Sequence, residues 1–231
     1  MRRRIVRPLA LPGLGLPVLL LAGPLPAAAE DACAQLPKPS VTVKRLADPA
    51  IRYNTEYGYR TLTELGRDKL QPGGQVLGLT RAQSVASFTL TAPALVDASQ
   101  RYECASPQIT LSIGFRQMTV YVGKEFPAGT CAYQEILDHE MRHVKAYQAH
   151  IAGIEQVLQQ EIARRFATDS VWRGQAGTLS ARIGKELDER WLPYVNREMR
   201  KVDEAQALID APEEYARLAE ACNGEIKKLA R

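Results

Sequence analysis

Residues 130–166 read TCAYQEILDHEMRHVKAYQAHIAGIEQVLQQEIARRF. In this stretch Ile136, Leu137, Met141, Val144, Tyr147, Ile151, Ile154, Leu158 and Ile162 recur at spacings of three and four, the period of an amphipathic helix. Thr130 stands just before the run, where its hydroxyl can cap the first turn, so the spacing predicts one helix from there to about Phe166. Upstream the pattern changes. Short runs rich in Val, Ile, Thr and Tyr, broken by Pro and Gly, predict strands at 41–43, 75–79, 85–90, 108–115 and 118–122. Ile109, Leu111, Ile113 and Phe115 alternate with Thr110, Ser112 and Gly114, which gives one buried and one exposed face, and a turn near Arg116-Gln117 would fold this run into a hairpin with the next. Downstream, a second helical stretch is expected over about 178–209 with Pro193 as kink or break, and a last one from Pro212-Glu213-Glu214, where Pro suits a first helical turn. Trp172 and Trp191 read as core anchors between helices. Antiparallel strands followed by long helices make an α+β domain, strand-rich over 30–128 and helical over 129–231.

The first 29 residues belong to another process. Arg2, Arg3, Arg4 and Arg7 form a positive region, an uncharged apolar run follows, and Ala27-Ala28-Ala29 closes it before Glu30, the pattern of a secretory signal peptide. An uncleaved anchor is the rival reading, but Pro12, Pro17, Pro24 and Pro26 interrupt the run, and no second hydrophobic segment comes later. Glu30-Asp31-Ala32 before Cys33 does not suit lipid attachment. The expected destination is the periplasm or the exterior, with no stable membrane insertion after cleavage. Removing the signal also removes the net charge: of 30 Lys+Arg against 26 Asp+Glu, four arginines and no acids lie in it, leaving 26 of each. A neutral chain lacks the basic excess that a nucleic-acid binder uses on phosphates, so no nucleic-acid partner is expected.

Cys33, Cys104, Cys131 and Cys222 are an even set in a chain bound for an oxidising compartment, which predicts two disulfides. Three pairings are open. Cys104 with Cys131 would tie the strand region to the main helix and leave Cys33 with Cys222 to fasten the termini. The close C-x-x-C pairs of a cysteine zinc site are missing.

The chemistry lies within the long helix. His139-Glu140-Met141-Arg142-His143 places two histidines four apart, on one face and one turn from each other, so both can ligate one Zn²⁺. Glu140 stands beside them as general base, to take a proton from a water that the metal has made more acidic. With three histidines in the chain, a chance H-E-x-x-H has a frequency of roughly a few in a thousand. The bland alternative is a pair of solvated or core-satisfied histidines on an ordinary helix. A catalytic zinc site usually takes a third protein ligand. His150 lies about 10 Å further along the axis than His143, too far to share the ion, and fits a helix-surface or supporting role. Ala146 and Ala149 replace the Gly and His that a longer metzincin motif would require. The third ligand is then a carboxylate from a later helix, with Glu186, Glu189, Glu198, Asp203 and Glu204 as candidates. Glu135, one turn before His139, is placed to orient it or to stay solvated, and Tyr147 to face the site or to pack. The strand 108–115 is a candidate edge for an extended peptide.

The block from Cys131 through His139-Glu140-x-x-His143 into a long helix, after strands and a signal peptide, resembles a bacterial family of uncharacterised secreted proteins regarded as zinc-dependent proteases. In that family a later Tyr-Asp-x-x-Thr element followed by His-Gly accompanies the zinc motif. Here Val202-Asp203-Glu204-Ala205-Gln206 keeps the Asp, has Val for Tyr and Gln for Thr, and lacks the His-Gly. The resemblance implies a zincin-like fold and Asp203 as third ligand or its close neighbour, with Glu198 and Glu204 behind it. Two functions follow. The first is an exported zinc metallopeptidase acting on a peptide or protein substrate, with Glu140 as general base and His139, His143 and Asp203 on the metal. The second is a non-catalytic envelope protein with a structural zinc site or an interaction role. A structural site closes the fourth metal position and has no use for a base, so Glu140 separates the two.

Overall fold

In the computed structural model, which describes residues 31–69 and 74–229, one strand organises the sheet. The expected signal peptide lies outside the described residues. Strand β6, Gln108–Val122, is continuous where a hairpin was expected. Ile109, Leu111, Ile113 and Phe115 are buried before Arg116 and Gln117, and Met118, Val120 and Val122 after them, so the buried positions change from odd to even numbers. A turn would produce that change, and so does one extra residue. Across the ladder Gln83 pairs with Gln117 and Ser84 with Phe115, leaving Arg116 as the bulged residue that restores the inward face.

On one side β6 pairs antiparallel with β3, Gly78–Thr91. On the other it takes two short strands end to end, β1 (Ser40–Arg45) and β2 (Ile51–Asn54), both parallel to it. The sheet is therefore mixed rather than antiparallel, and 108–115 is its central strand, not an edge. Its outer strand is β3, which pairs with β6 alone among the described strands. The opposite border is covered at β1, where the Gln159 amide donates to Val41 O (2.9 Å) and accepts from Val43 N–H (2.8 Å), standing in for a neighbouring strand. Of the 75–79 strand, only Gly78 and Leu79 belong to β3. Helix α1, Tyr59–Leu65, fills the connection before it.

A second sheet joins β4 (Ala94–Val96), β5 (Tyr102–Ala105) and β7 (Trp172–Gln175). Since β7 comes after the long helix, the strands are not all N-terminal. It pairs with β5, and through it the helical half adds a strand to the strand-rich half.

Helix α2 runs from Cys131 to Phe166, with Thr130 Oγ1 accepting from Tyr133 N–H at its start, as the sequence predicts. Val144, Ile151, Leu158 and Ile162 lie in one core with Val41, Val43, Ile109, Leu111 and Ile113 of the sheet. Helices α3 (Leu179–Glu186) and α4 (Leu192–Arg200) are joined by a wider turn over Leu187–Trp191 in which Leu192 N–H reaches back to Leu187 O. Pro193, which has no N–H to give, follows immediately, and the local widening absorbs it. Trp191 is buried against Phe166, while Trp172 is half-buried, stacked on Phe166 beneath Arg165. Helix α5 is Val202–Ile209 and α6 is Pro212–Leu229, broken at Ala221–Gly224, where Cys222, Asn223 and Gly224 all have left-handed backbones.

The disulfides are Cys33–Cys104 and Cys131–Cys222. The pairing that would have joined Cys104 to Cys131 is not the one formed. The N-terminal turn is fastened to β5, and the first turn of α2 to the break in α6. Two disulfides are compatible with an oxidising compartment. Among the described residues, no helix is long and apolar enough to cross a membrane.

Candidate metal centre

His139, Glu140 and His143 are all buried on α2. The face they share meets the segment from α5 into α6, and there three residues spaced by four, Gln206, Asp210 and Glu214, lie along the two histidines. Asp210 is the C-cap of α5. Its Oδ1 stands 3.3 Å from His139 Nε2 and 3.2 Å from His143 Nε2, and the two Nε2 atoms are 3.2 Å apart. Three atoms of the kinds that can ligate a metal thus form a nearly equilateral triangle. Donors held about 2.0–2.1 Å from a tetrahedral ion are separated by about 3.3–3.4 Å, so the triangle has the edge length of such a site.

Each histidine is also held from behind. Gln206 Oε1 meets His143 Nδ1, while Gln206 Nε2 donates to the His143 backbone carbonyl at 3.2 Å. Behind His139, Nδ1 has Glu214 Oε1 at 3.4 Å and Arg142 Nη2 at 2.9 Å. These two contacts ask for opposite tautomers: the guanidinium can only donate, the carboxylate only accept. Ligation through Nε2 needs Nδ1–H and selects Glu214. That carboxylate also bonds Arg142 and Arg217, and Arg217 continues to Glu135 at 2.7 Å. Hydrogen bonds from Arg217 first, then from Arg142 and His139, hold the Glu214 carboxyl down at about 2.

Opposite charges converge on the triangle. Burial works to raise Asp210, but its hydrogen bonds with His139 and His143 outweigh that and keep it well below the usual carboxylate range. Burial works to lower His143, and the adjoining Asp210 and Glu140 raise it instead. The place therefore attracts positive charge, which a proton or a metal cation can supply. Glu140 is pushed up by burial, against the pull of the two histidines. Its Oε2 accepts from Thr80 Oγ1 at 2.8 Å, so β3 both borders the site and holds the carboxyl. At Gly78 on the same strand, a Cβ would lie 2.7 Å from Glu140 Oε1 and 2.7 Å from Ile136 Cγ2, so the close approach of β3 to α2 depends on glycine there. Tyr215 donates to Asp210 Oδ1 at 3.1 Å beside the His139 ring, and burial raises its phenol.

Of the expected residues, His139, Glu140 and His143 are brought together and Asp203 is not among them. Asp203 is exposed on α5, because the stripe facing α2 runs through Val202 and Gln206 to Asp210. Glu204 and Glu189 are exposed too. Glu198 pairs with Lys201 at 2.6 Å and Glu186 with Arg165 at 2.7 Å, both away from the triangle. His150 Nε2 donates to Glu198 O at 2.8 Å and joins α2 to α4. Tyr147 packs edge-on against Phe115 in the core. Glu135 connects to His139 through Arg217 and Glu214. Sequence reasoning missed Gln206, Asp210, Glu214 and Tyr215. The usable signal was the Gln-x-x-x-Asp-x-x-x-Glu spacing, polar residues in a stripe that Val202 begins as apolar. Compared with known proteins, the chain matches no family model, no curated protein and no solved structure.

Proposed function

We propose that this chain is an exported zinc metallopeptidase, with His139, His143 and Asp210 as the metal ligands and Glu140 as the general base. The observation that carries the reading is the triangle of His139 Nε2, His143 Nε2 and Asp210 Oδ1 at 3.2–3.3 Å, with a buried glutamate beside it. Two imidazoles and a carboxylate also suit iron(II); the glutamate between the histidines favours zinc and hydrolysis. The resemblance to secreted zinc-dependent proteases, with their zincin-like fold, points the same way, with Asp210 in the place expected of Asp203.

When bound, zinc would supply Lewis acidity, making water more acidic and polarising a carbonyl. Glu140 takes the proton of the attacking water and delivers it to the departing amine nitrogen. A carboxyl raised by burial is better matched to that exchange near neutral pH than a solvated one. Thr80 fixes the rotamer of the base through Oε2. Along β3, the edge that has no strand partner among the described residues is suited to hold an extended peptide by backbone pairing next to Glu140.

Elemental analysis of the purified protein tests the reading, for wild type, His143→Ala, Asp210→Ala and Glu140→Gln. About one zinc per chain is expected in wild type and Glu140→Gln, and loss in the other two, with peptide hydrolysis in wild type alone. Iron in place of zinc, or metal retained by Asp210→Ala, would overturn the assignment. One zinc in a protein that cleaves nothing in a broad peptide screen would favour a structural site.

A further inference from the structure

We infer that Arg81 is a specificity-determining residue, which makes this peptidase select substrates with an acidic side chain close to the cleaved bond; the inference rests on the peptidase reading above. The flank of α2 on which the triangle lies comes first. Successive residues of a helix are turned about 100° from one another. Met141 faces β2, where the Tyr53 hydroxyl lies 3.8 Å from its Sδ, and Glu140 faces β3, where it is bonded to Thr80. Counted from Glu140, Met141 lies about 100° round the helix in one sense, and His143 and His139 lie about 60° and about 100° round it in the other. The histidines therefore project away from β2, on the flank where β3 has no strand partner among the described residues. An extended peptide paired to that edge of β3 runs beside Glu140 and the triangle.

Alternation along β3 then decides which of its side chains such a peptide meets. Thr80 points to the inner face, toward Glu140, so Leu79 and Arg81 point to the outer one. Leu79 is half-buried, with its Cδ1 beside Gly66. Arg81 is exposed and takes part in no ion pair or side-chain hydrogen bond among the described residues. Its row on the outer face continues through Thr119 to Arg52, which is exposed and unpaired in the same way. Strands lie about 4.8 Å apart, so the two arginines are about 10 Å apart at Cα with only a hydroxyl between them. The imbalance extends over the whole sheet. Strands β1, β2, β3 and β6 contain Lys44, Arg45, Arg52, Arg81 and Arg116 and not one aspartate or glutamate, although acids and bases are equal in number beyond residue 29. Elsewhere arginines are answered within the fold: Arg142 and Arg217 by Glu214, Arg165 by Glu186. Like charges on one row without a counter-charge add nothing to stability, and their complement is a carboxylate from outside the fold. In a peptide added to β3, the residue opposite Thr80 faces Glu140, and its immediate neighbour lies opposite Arg81. The Cβ atoms of that directly opposed pair stand about 4.5–5.5 Å apart, within reach of the guanidinium, whose fork of N–H donors matches a carboxylate.

The test is the cleavage profile of the zinc-loaded protein on a peptide library made by digesting a denatured cell extract, read by mass spectrometry for wild type, Arg81→Glu and Arg81→Gln. Asp and Glu are expected to be enriched at one position within two residues of the cleaved bond in wild type, to give way to Lys and Arg in Arg81→Glu, and to lose their enrichment in Arg81→Gln. On two peptides that differ only in Glu or Lys at that position, wild type should favour Glu in kcat/KM by about 10-fold and Arg81→Glu should favour Lys. The wild-type ratio should shrink between about 0.1 M and about 1 M salt, because the pair is exposed. Zinc content should be equal in all three proteins. Cleavage without acidic enrichment in wild type overturns the inference and leaves the peptidase reading standing. So does an acidic preference that survives both substitutions. No cleavage at all by the zinc-loaded wild type overturns the two together. Arg81→Gln adds no charge to the sheet and decides the role of Arg81 if Arg81→Glu does not fold.

Discussion

The same substitution, glycine to alanine, should have opposite effects at two positions of this fold. At Gly78 a Cβ would stand 2.7 Å from Glu140 Oε1, 2.7 Å from Ile136 Cγ2 and 2.8 Å from Glu140 Cγ. Relaxed carbon contacts lie at about 3.5–4.0 Å, so β3 and α2 must separate by roughly 0.8 Å or more. The carboxyl oxygen can swing aside. Glu140 Cγ and Ile136 Cγ2 are each one bond from a Cβ of the long helix, and they yield only by leaving their χ1 rotamers or by moving the helix. Overpacking of this kind costs about 1–3 kcal/mol, and the lower entropy of the unfolded chain with alanine returns about 0.4–1 kcal/mol, leaving a net loss centred on about 1.3 kcal/mol.

At Gly153, exposed within α2, a Cβ meets nothing within 4 Å. There alanine should stabilise by about 0.8–1 kcal/mol, the ordinary helix preference. Urea unfolding followed by circular dichroism reads both, and for a domain of this size each kcal/mol moves Tm by roughly 2–4 °C. Neither change touches a proposed metal ligand, so zinc content should be equal in both variants. Peptide hydrolysis should fall only in Gly78→Ala, by about 100-fold if Glu140 is displaced by an ångström. A Gly78→Ala protein as stable as wild type would refute the reasoning, because it would mean that β3 does not press on the helix at Glu140.

The two disulfides should separate in the same way. Replacing Cys131 and Cys222 with serine opens a sequence separation of 91 residues and is expected to cost about 2–5 kcal/mol; zinc affinity measured on the folded protein should also fall, because α6 then loses its anchor beside α2. Replacing Cys33 and Cys104 should cost stability without that effect on zinc, since neither holds the 206–214 segment. Glu103 gives the pH dependence: Leu179 N–H (2.6 Å) and Thr178 N–H (2.9 Å) donate to it at the start of α3 and hold its carboxyl below the usual glutamate range. A depressed carboxyl stabilises fully above its unfolded value and loses that contribution as pH falls through its folded value. Glu103→Gln should therefore be less stable by up to about 1 kcal/mol at neutral pH, and the gap, followed by urea unfolding across pH, should close in acid. A gap that stays constant into acid would refute the helix-terminus role.

Much of the helix and half of the site could be read from residues alone, because both depend on spacing within one element. The apolar positions of α2 and the two histidines obey the same 3.6-residue period, so a correct helix brings both histidines onto one face. What failed depended on pairing between distant elements. The parity change at Arg116 and Gln117 is the same signal for a turn and for a bulge, and only the long partner β3, which keeps its ladder on both sides of Arg116, decides for the bulge. Strand direction is equally non-local: β1 and β2 are parallel to β6 because the chain passes through α1 and β3 before returning, and nothing in 41–43 records it.

The third corner of the triangle shows the same limit at the scale of one side chain. Carboxylates inside the second helical stretch were the natural candidates, but Asp203 lies to the side of the stripe that turns toward α2. Asp210 lies at the helix end, where the backbone leaves the helical conformation (φ −84°, ψ 31°) just before Pro212 begins α6. A C-cap position frees the carboxylate from the exposed flank of α5 and lets one oxygen meet both imidazoles. The break also allows the chain to continue along the same pair of histidines, so that Glu214 reaches His139 as Gln206 reaches His143. Two histidines one turn apart on one helix thus face three partners from a segment whose helix breaks at its middle. The carboxylate in the middle could be inferred only by noticing that three polar residues spaced by four, Gln206, Asp210 and Glu214, continue the face that buried Val202 begins.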